Sequence, residues 1–405
     1  MRIYPNTEYL RNNMSMMTLQ SGEFLYGGPL HRLQRSIGLI KPGDPMIARR
    51  AELVVLVGWV PLVLLAVAQS FILRNQTAKS FFSDFAVYAR SLVAAPLFIL
   101  AEADCIPRLG RVARHFLAAG LVTEPDRARF DDALTSTRRL LDSRLAELIV
   151  AILAYGLVAI LLITVPPDEA PSWYWLKSDY QVFSLAGWWN ALVSVPLFML
   201  LFFGWLWRTF LWARFLWLMS RLDLRLIPGH PDHAGGLIFL GNSLRAFWPV
   251  SFALGAVVAG QLANRITRYG ESLATFKHIA IGLVVFELIL FVGPLTLFIG
   301  KLRETRRRGD FEYGAMAGEV GRQFERDCLN HERGAYEEGP NAQDFSAPAK
   351  IFAIVANVYG MKDLPFGLRN LGLLIAVALL PFLPVALMVM PVTEIIKDLA
   401  KMLSL

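Results

Sequence analysis

Long apolar runs alternate with charged ones along the chain, and the lengths of those runs predict its elements. Stretches approaching the ~20 apolar residues that a bilayer core requires recur at 53–73, 85–103, 146–165, 188–207, 244–264, 279–300 and 371–391. The expected fold is all-α: a polytopic transmembrane helical bundle of about seven spans with helical cytoplasmic segments. Residues 1–52 read as an N-terminal segment. The 104–145 loop alternates Arg with Asp/Glu around Thr123-Glu-Pro-Asp126, which predicts a pair of helices. Residues 208–243 read as a basic interfacial helix followed by a turn. The charged 301–370 segment is helical near 312–330, loosens at Gly339-Pro340-Asn341 and ends in the short apolar piece Ile351–Tyr359. Residues 371–405 read as a last span with an amphipathic tail. No repeat of 20–50 residues and no inverted repeat is evident.

Composition supports a membrane protein. Of 405 residues 55% are hydrophobic and 18% charged, and the mean hydropathy is +0.46. These values exclude a soluble globular enzyme, a secreted mini-domain and a disordered tail. Seven Lys/Arg precede the first run, ending in Arg49-Arg50, so the N-terminus is expected inside and 53–73 is expected to stay uncleaved despite Ala66-Val67-Ala68. On that topology the inner segments hold 30 Lys/Arg and the outer segments 8, and Arg90 and Arg245 fall within spans. The net charge of +7 is then a matter of topology and anionic lipid headgroups; nucleic acid is not an expected partner. Cys105 and Cys328 both fall in segments read as cytoplasmic and form no CxxC motif.

The fourth span is framed by Trp188-Trp189 and, about 24–27 Å further along a helix, by Trp205 and Trp207, which predicts two aromatic belts. The helical pattern then runs to Arg225, before Pro228-Gly229, and places Arg214, Arg221 and Arg225 on one face. That stripe reads as arginines snorkelling to lipid phosphates, or alternatively as the lining of an inner vestibule. Trp205-Leu-Trp-Arg208, Arg214-Phe-Leu-Trp217, Ser220-Arg-Leu-Asp-Leu-Arg-Leu-Ile-Pro228 and Gly229-His-Pro-Asp-His-Ala-Gly-Gly-Leu237 resemble a signature of uncharacterised bacterial multi-pass membrane proteins. The ending Leu380-Pro-Phe-Leu-Pro384 with Pro391-Val-Thr-Glu394 is similar to theirs. The resemblance is specific over roughly 185–245 and implies a bacterial inner-membrane origin, but no activity. Members often lack a histidine at the position of His233, which argues against a two-histidine metal site.

His230, Asp232 and His233 are metal-ligand types within four residues, with His115, His331 and Glu332 as loose partners. The competing reading is a structural turn, with Pro231 at a first helical position and Asp232 meeting the helix dipole. It is preferred, and no cofactor is expected. No phosphate loop, GxGxxG or GxSxG is present. Within the spans, Glu287 and Arg90 lie at similar expected depths and are predicted to pair; a proton or ion relay, or a neutral or water-facing Glu287, are the alternatives. Gln261, Asn264 and Asn190 read as interhelical hydrogen-bond formers. Proline lies in or beside six spans, which favours kinks around a polar cavity. Gly255/Ala259 and Ala256/Gly260 allow close helix contact, within the bundle or in a homo-oligomer. A channel or transporter for an ion or small polar solute is the first functional expectation. An enzyme acting on lipid-like substrates through Arg214, Arg221, Arg225, His230 and Asp232 is the second, and an assembly or regulatory subunit the third.

Overall fold

The structure is a computed structural model and describes residues 24–28, 46–164, 171–176, 182–270, 273–326 and 342–389. It is all-helical. Among the described residues five helices are long and apolar enough to cross a membrane, and the number reaches seven if each of two bent pairs is one span. The unbroken ones are α1 (Ile47–Leu73), α2 (Phe85–Ala118), α4 (Arg144–Thr164), α5 (Leu185–Ser220) and α7 (Lys277–Gln323). Helix α6 (Trp248–Tyr269) bends by 44° from the short helical piece Ile238–Ala246, and α9 (Leu368–Leu379) by 50° from α10 (Phe382–Met388). Two further helices, α3 (Arg127–Leu141) and α8 (Ala342–Tyr359), pack at one end of the bundle. That end carries Arg50 and is called the basic face here; the opposite end is the far face. The expected amphipathic tail beyond 391 lies outside the described residues, as do Cys328, His331 and Glu332.

Burial follows the solvent that the helices are built for. Helix α4 buries only Ala146, Val150, Ala154 and Val158, an i, i+4 stripe of small and β-branched residues. Beyond Arg144 and Glu147 in its first turn, most of its remaining surface is exposed hydrocarbon, including Leu145 at 70% and Ile163 at 84% exposure. Phe71 on α1 (86%) and Ile289 on α7 (70%) extend the same belt. An apolar girdle of this size is unfavourable in water and favourable in lipid, so the chain is a polytopic membrane protein.

Both small-residue pairs of α6 mediate close contact, on different faces. A side chain at Gly255 would place its Cβ 2.1 Å from the Ala378 carbonyl of α9, and one at Gly260 would meet Ala89 at 2.5 Å on α2.

Three helices that run from the far face to the basic face share a defect. In α2 the Ala95 N–H bonds to the Arg90 carbonyl, in α5 Val195 to Asn190, and in α7 Gly293 to Leu288, each a five-residue step. Each π turn (Ala89–Ala94, Asn190–Ser194, Leu288–Val292) is followed at the same register by a proline: Pro96, Pro196 and Pro294. Proline has no N–H and its ring crowds the carbonyl four residues back, so a turn widened by one residue relieves the clash.

The basic stripe is not a helix face. Helix α5 ends at Ser220, and Leu224 forms an isolated antiparallel bridge with Val122. The Asp126 carboxylate accepts from the Asp223 N–H at 2.6 Å and draws the chain away from helical geometry. Phe210 and Trp217 on one face of the helix are 55% and 43% exposed, while the other face is packed in the core, with Leu211, Trp212, Phe215 and Leu216 at most 1% exposed. Their cover is the core between α2 and α3. Trp205 is likewise not a belt residue: it is 3% exposed and its indole N–H donates to the Phe98 carbonyl at 2.8 Å.

Candidate functional site

A cavity of about 750 Å³ opens among α2, α4, α5, α6 and the residues Pro171, Tyr174, Trp175 and Phe183 at the far end of the bundle. Val158, Leu161, Leu162, Phe198, Met199 and Val257 give it apolar walls. Its polar side is organised by Arg90 and Asp84.

Arg90 stands on the π turn of α2, 8% exposed. Its Nη2 donates to Asn190 Oδ1 at 2.6 Å, on the π turn of α5. Asn190 Nδ2 in turn donates to the Tyr174 hydroxyl at 2.8 Å. Burial pushes the Tyr174 phenol above its usual value of 10, although Arg90 opposes the rise, so the ring stays neutral. Arg90 Nε has no partner, and among the described residues no carboxylate lies within ion-pairing distance of Arg90.

Asp84, 1% exposed, is by contrast saturated. It accepts from Asn264 Nδ2 at 2.7 Å, from Trp173 Nε1 at 2.9 Å and from the Val87 N–H at 3.3 Å, and Arg268 approaches to 3.3 Å. Asn264 Oδ1 meanwhile accepts from the Phe85 N–H, capping the start of α2 at 2.8 Å. The cavity is thus lined by three arginines (Arg90, Arg265, Arg268) and one carboxylate, which Arg268 already meets. Gln261 lines it too.

The expected Arg90–Glu287 pair does not form. Glu287, 2% exposed, accepts from Ser251 Oγ at 2.5 Å; its Oε1 has no partner. The reason is depth. Helical structure leading into α7 begins at Leu273 rather than 279, so Glu287 lies about 21 Å below the far end, whereas Arg90 is about 7.5 Å below Phe85. Ser251 Oγ also lies 3.5 Å from the Leu374 carbonyl, so Glu287 joins α6, α7 and α9 near the basic half.

The His230-Pro-Asp-His233 segment is a turn, though no helix starts there. Positive φ at His233 (54°), Gly235 (61°) and Gly236 (95°) folds successive N–H groups inward. Asp232 receives Ala234 at 2.8 Å, Gly236 at 3.1 Å and Ile238 at 3.2 Å, with His230 Nδ1 at 2.7 Å. Burial raises the Asp232 pKa, but these donors more than offset it and hold the carboxyl below its usual value. The two histidines diverge, because His233 Nδ1 lies against the Asn357 carbonyl of α8 at 3.3 Å. Among the described residues no three His, Cys, Asp or Glu side chains converge as a metal site would require.

The arginines proposed for lipid chemistry are dispersed. Arg214 donates to Ser136 and Thr137 of α3, Arg221 lies over the Trp217 ring at 4.8 Å, and the Arg225 backbone N–H bonds to the Leu121 carbonyl.

Sequence reasoning missed two groups. One is Asp84 with Arg268, Trp173 and Tyr174, which were assigned to outer loops. The other is a buried triad at the basic end: Glu102 Oε2 meets Arg50 and Oε1 meets Arg208, each at 2.7 Å, with exposures of 2, 5 and 7% for Arg50, Glu102 and Arg208. Arg208 also donates to the Gly27 carbonyl at 2.9 Å. A signal for the cavity did exist. Residues 90–100 (RSLVAAPLFIL) and 190–200 (NALVSVPLFML) agree at six of eleven positions. The equivalent residues touch, Arg90 with Asn190 and Phe98 with Phe198 at 5.9 Å. The spacing of 100 residues is twice the upper end of the 20–50-residue range of structural repeats. Compared with protein-family models, curated proteins and solved structures, the chain matches none.

Proposed function

We propose that the chain is a channel or transporter whose solute is a small organic anion bound in the far-face cavity. The observation that carries this reading is Arg90, a buried guanidinium without a carboxylate, beside a cavity that holds two more arginines. A guanidinium is charged at any physiological pH and is expensive to bury, so an anion in the cavity offsets its cost. About 750 Å³ matches the size of ordinary small-molecule sites, and the mixture of apolar walls and a few polar groups fits a solute with an acidic head and an apolar body. The π turns under Arg90 and Asn190 fit as well, since such turns concentrate at functional positions. Orientation with the basic face in the cytoplasm is supported by the 30-to-8 distribution of Lys/Arg. The signature over 185–245 supports a bacterial inner membrane as its location.

Purified protein in liposomes, assayed with isotope-labelled benzoate and succinate, tests the reading. Saturable uptake above empty liposomes is expected, together with its loss in Arg90→Gln at unchanged monodispersity. Uptake that is absent, or indifferent to Arg90→Gln, overturns it.

A further inference from the structure

A second cavity, of about 380 Å³, lies at the opposite end of the bundle, beside the junction of α2 with the bent entry to α6. Arg108, Arg111 and His115 come to it from α2, and Asn242 and Arg245 from the short helix before α6. Phe239 closes one side and packs against His115, with ring centroids 4.4 Å apart and the planes tilted by 59°. No carboxylate lines it. The nearby acid is Asp104, which already pairs with Arg108 at 2.6 Å. Arg245 is oriented by Asn370 of α9 through Nε at 2.9 Å, and Arg108 reaches the Arg245 carbonyl at 3.4 Å, so the two arginines from separate helices are tied together. Arg111 makes no ion pair among the described residues.

Position along α2 identifies the medium around this cavity. Arg108 is twenty-three residues past Phe85, about 35 Å along the helix, and His115 about 45 Å. A hydrocarbon core is about 30 Å thick, and the headgroup layers bring the total to about 40–45 Å. With Phe85 at the far edge of the core, Arg108 stands at headgroup depth and Arg111 and His115 on its water side. We propose that this cavity is a phosphate-binding site, which takes the phosphate of an anionic phospholipid headgroup or of a soluble phosphate. Three guanidiniums supply forked donors matched to phosphate oxygens, and Asn242 and His115 supply further hydrogen bonds at the rim. Scattered interfacial arginines would not need a concave arrangement drawn from two helices and fixed by Asn370. The site is separate from the solute cavity, and nothing in its argument depends on transport.

Calorimetric titration of the purified full chain in detergent tests the proposal with three probes: short-chain phosphatidylglycerol, short-chain phosphatidylcholine and inorganic phosphate. Saturable binding of phosphatidylglycerol without competition from inorganic phosphate assigns the site to a lipid headgroup; saturable inorganic phosphate that the lipid does not displace assigns it to a soluble source. In either case Arg111→Gln, which breaks no ion pair, should weaken binding about tenfold at unchanged thermal stability. The combined Arg108→Gln, Arg111→Gln, Arg245→Gln variant should abolish it. Arg303→Gln, Arg307→Gln and Arg308→Gln on α7 form the control and should change binding less than twofold. Equal losses in the two triples overturn the proposal, as does phosphatidylcholine binding as tightly as phosphatidylglycerol, or no saturable binding of any probe.

Discussion

Glu102→Gln tests what holds the basic end of the bundle together. The carboxylate is 5% exposed and each of its oxygens faces a guanidinium at 2.7 Å, Arg50 on one side and Arg208 on the other. At an effective dielectric constant of 20, each contact corresponds to about 6 kcal/mol of attraction, and burying the three ions costs several kcal/mol apiece. The net value of the triad is therefore small, but removal of its centre is not. Glutamine fits the space yet turns an N–H₂ toward one arginine and leaves two cations buried without an anion. The expected loss is about 3–5 kcal/mol, a fall in the folding equilibrium constant of about 10² to 10⁴. Tryptophan fluorescence during SDS titration of the detergent-solubilised chain measures it. The combination Arg50→Met, Glu102→Leu, Arg208→Met should recover most of that loss, short of about 1 kcal/mol for the Gly27 carbonyl left without its donor. If Glu102→Gln is within 1 kcal/mol of the parent, or the apolar triple is at least as unstable as the single change, uncompensated buried charge is the wrong explanation.

Glu287→Gln should cost less than about 1 kcal/mol, because Ser251 can still donate to the remaining carbonyl and no cation is deprived of its partner; a loss above 3 kcal/mol in the same titration would point to a hidden ion pair. Gly255→Val should lower stability by about 1–3 kcal/mol by driving α9 off α6, and Gly260→Val should do the same against α2; cross-linking of α6 to each neighbour would report which contact opens. Asp232 has its folded pKa below the usual 3.8, so its stabilisation is complete above that value and is lost as the pH falls through the folded pKa. Amide exchange at Ala234, Gly236 and Ile238 should therefore accelerate under acid at a lower pH than an ordinary carboxylate would dictate. Asp232→Asn should accelerate it at neutral pH as well, with a local cost of about 1–2 kcal/mol.

The helical class and the positions of the apolar segments were legible in the sequence because a membrane helix is specified locally, by about 20 consecutive residues of one polarity. What could not be read locally was depth and partnership. Glu287 and Arg90 looked level because each was measured from an assumed helix end, and an early start at Leu273 was enough to separate them. Arg221 and Arg225 looked coplanar with Arg214 because periodicity was carried past Ser220, where Asp126, almost a hundred residues away, captures the backbone. Asp84 and Arg268 carried no signal of burial, since each lies next to polar residues and only the tertiary fold brings Trp173 and Asn264 to them. The Arg50–Glu102–Arg208 triad was hidden by the same rule that revealed topology: arginines at the basic end of a span are normally taken as solvated.

The three π turns have a mechanical consequence. A helix with one surplus residue in a turn contains a slip that has not been taken up. Should that turn tighten to α geometry, the parts of the helix on either side change register by about 100° and 1.5 Å relative to one another. For α2 and α5 the surplus sits directly under Arg90 and Asn190, so the same adjustment that rotates the lower helix also withdraws one hydrogen-bonding partner from the other. Pro96 and Pro196 prevent the excess from escaping toward the basic face, because the turn cannot be passed through a residue that has no N–H to re-pair. Any change of register between α2 and α5 is thereby referred to the turns at Arg90 and Asn190, and the segments that carry Glu102 and Arg208 would turn as units.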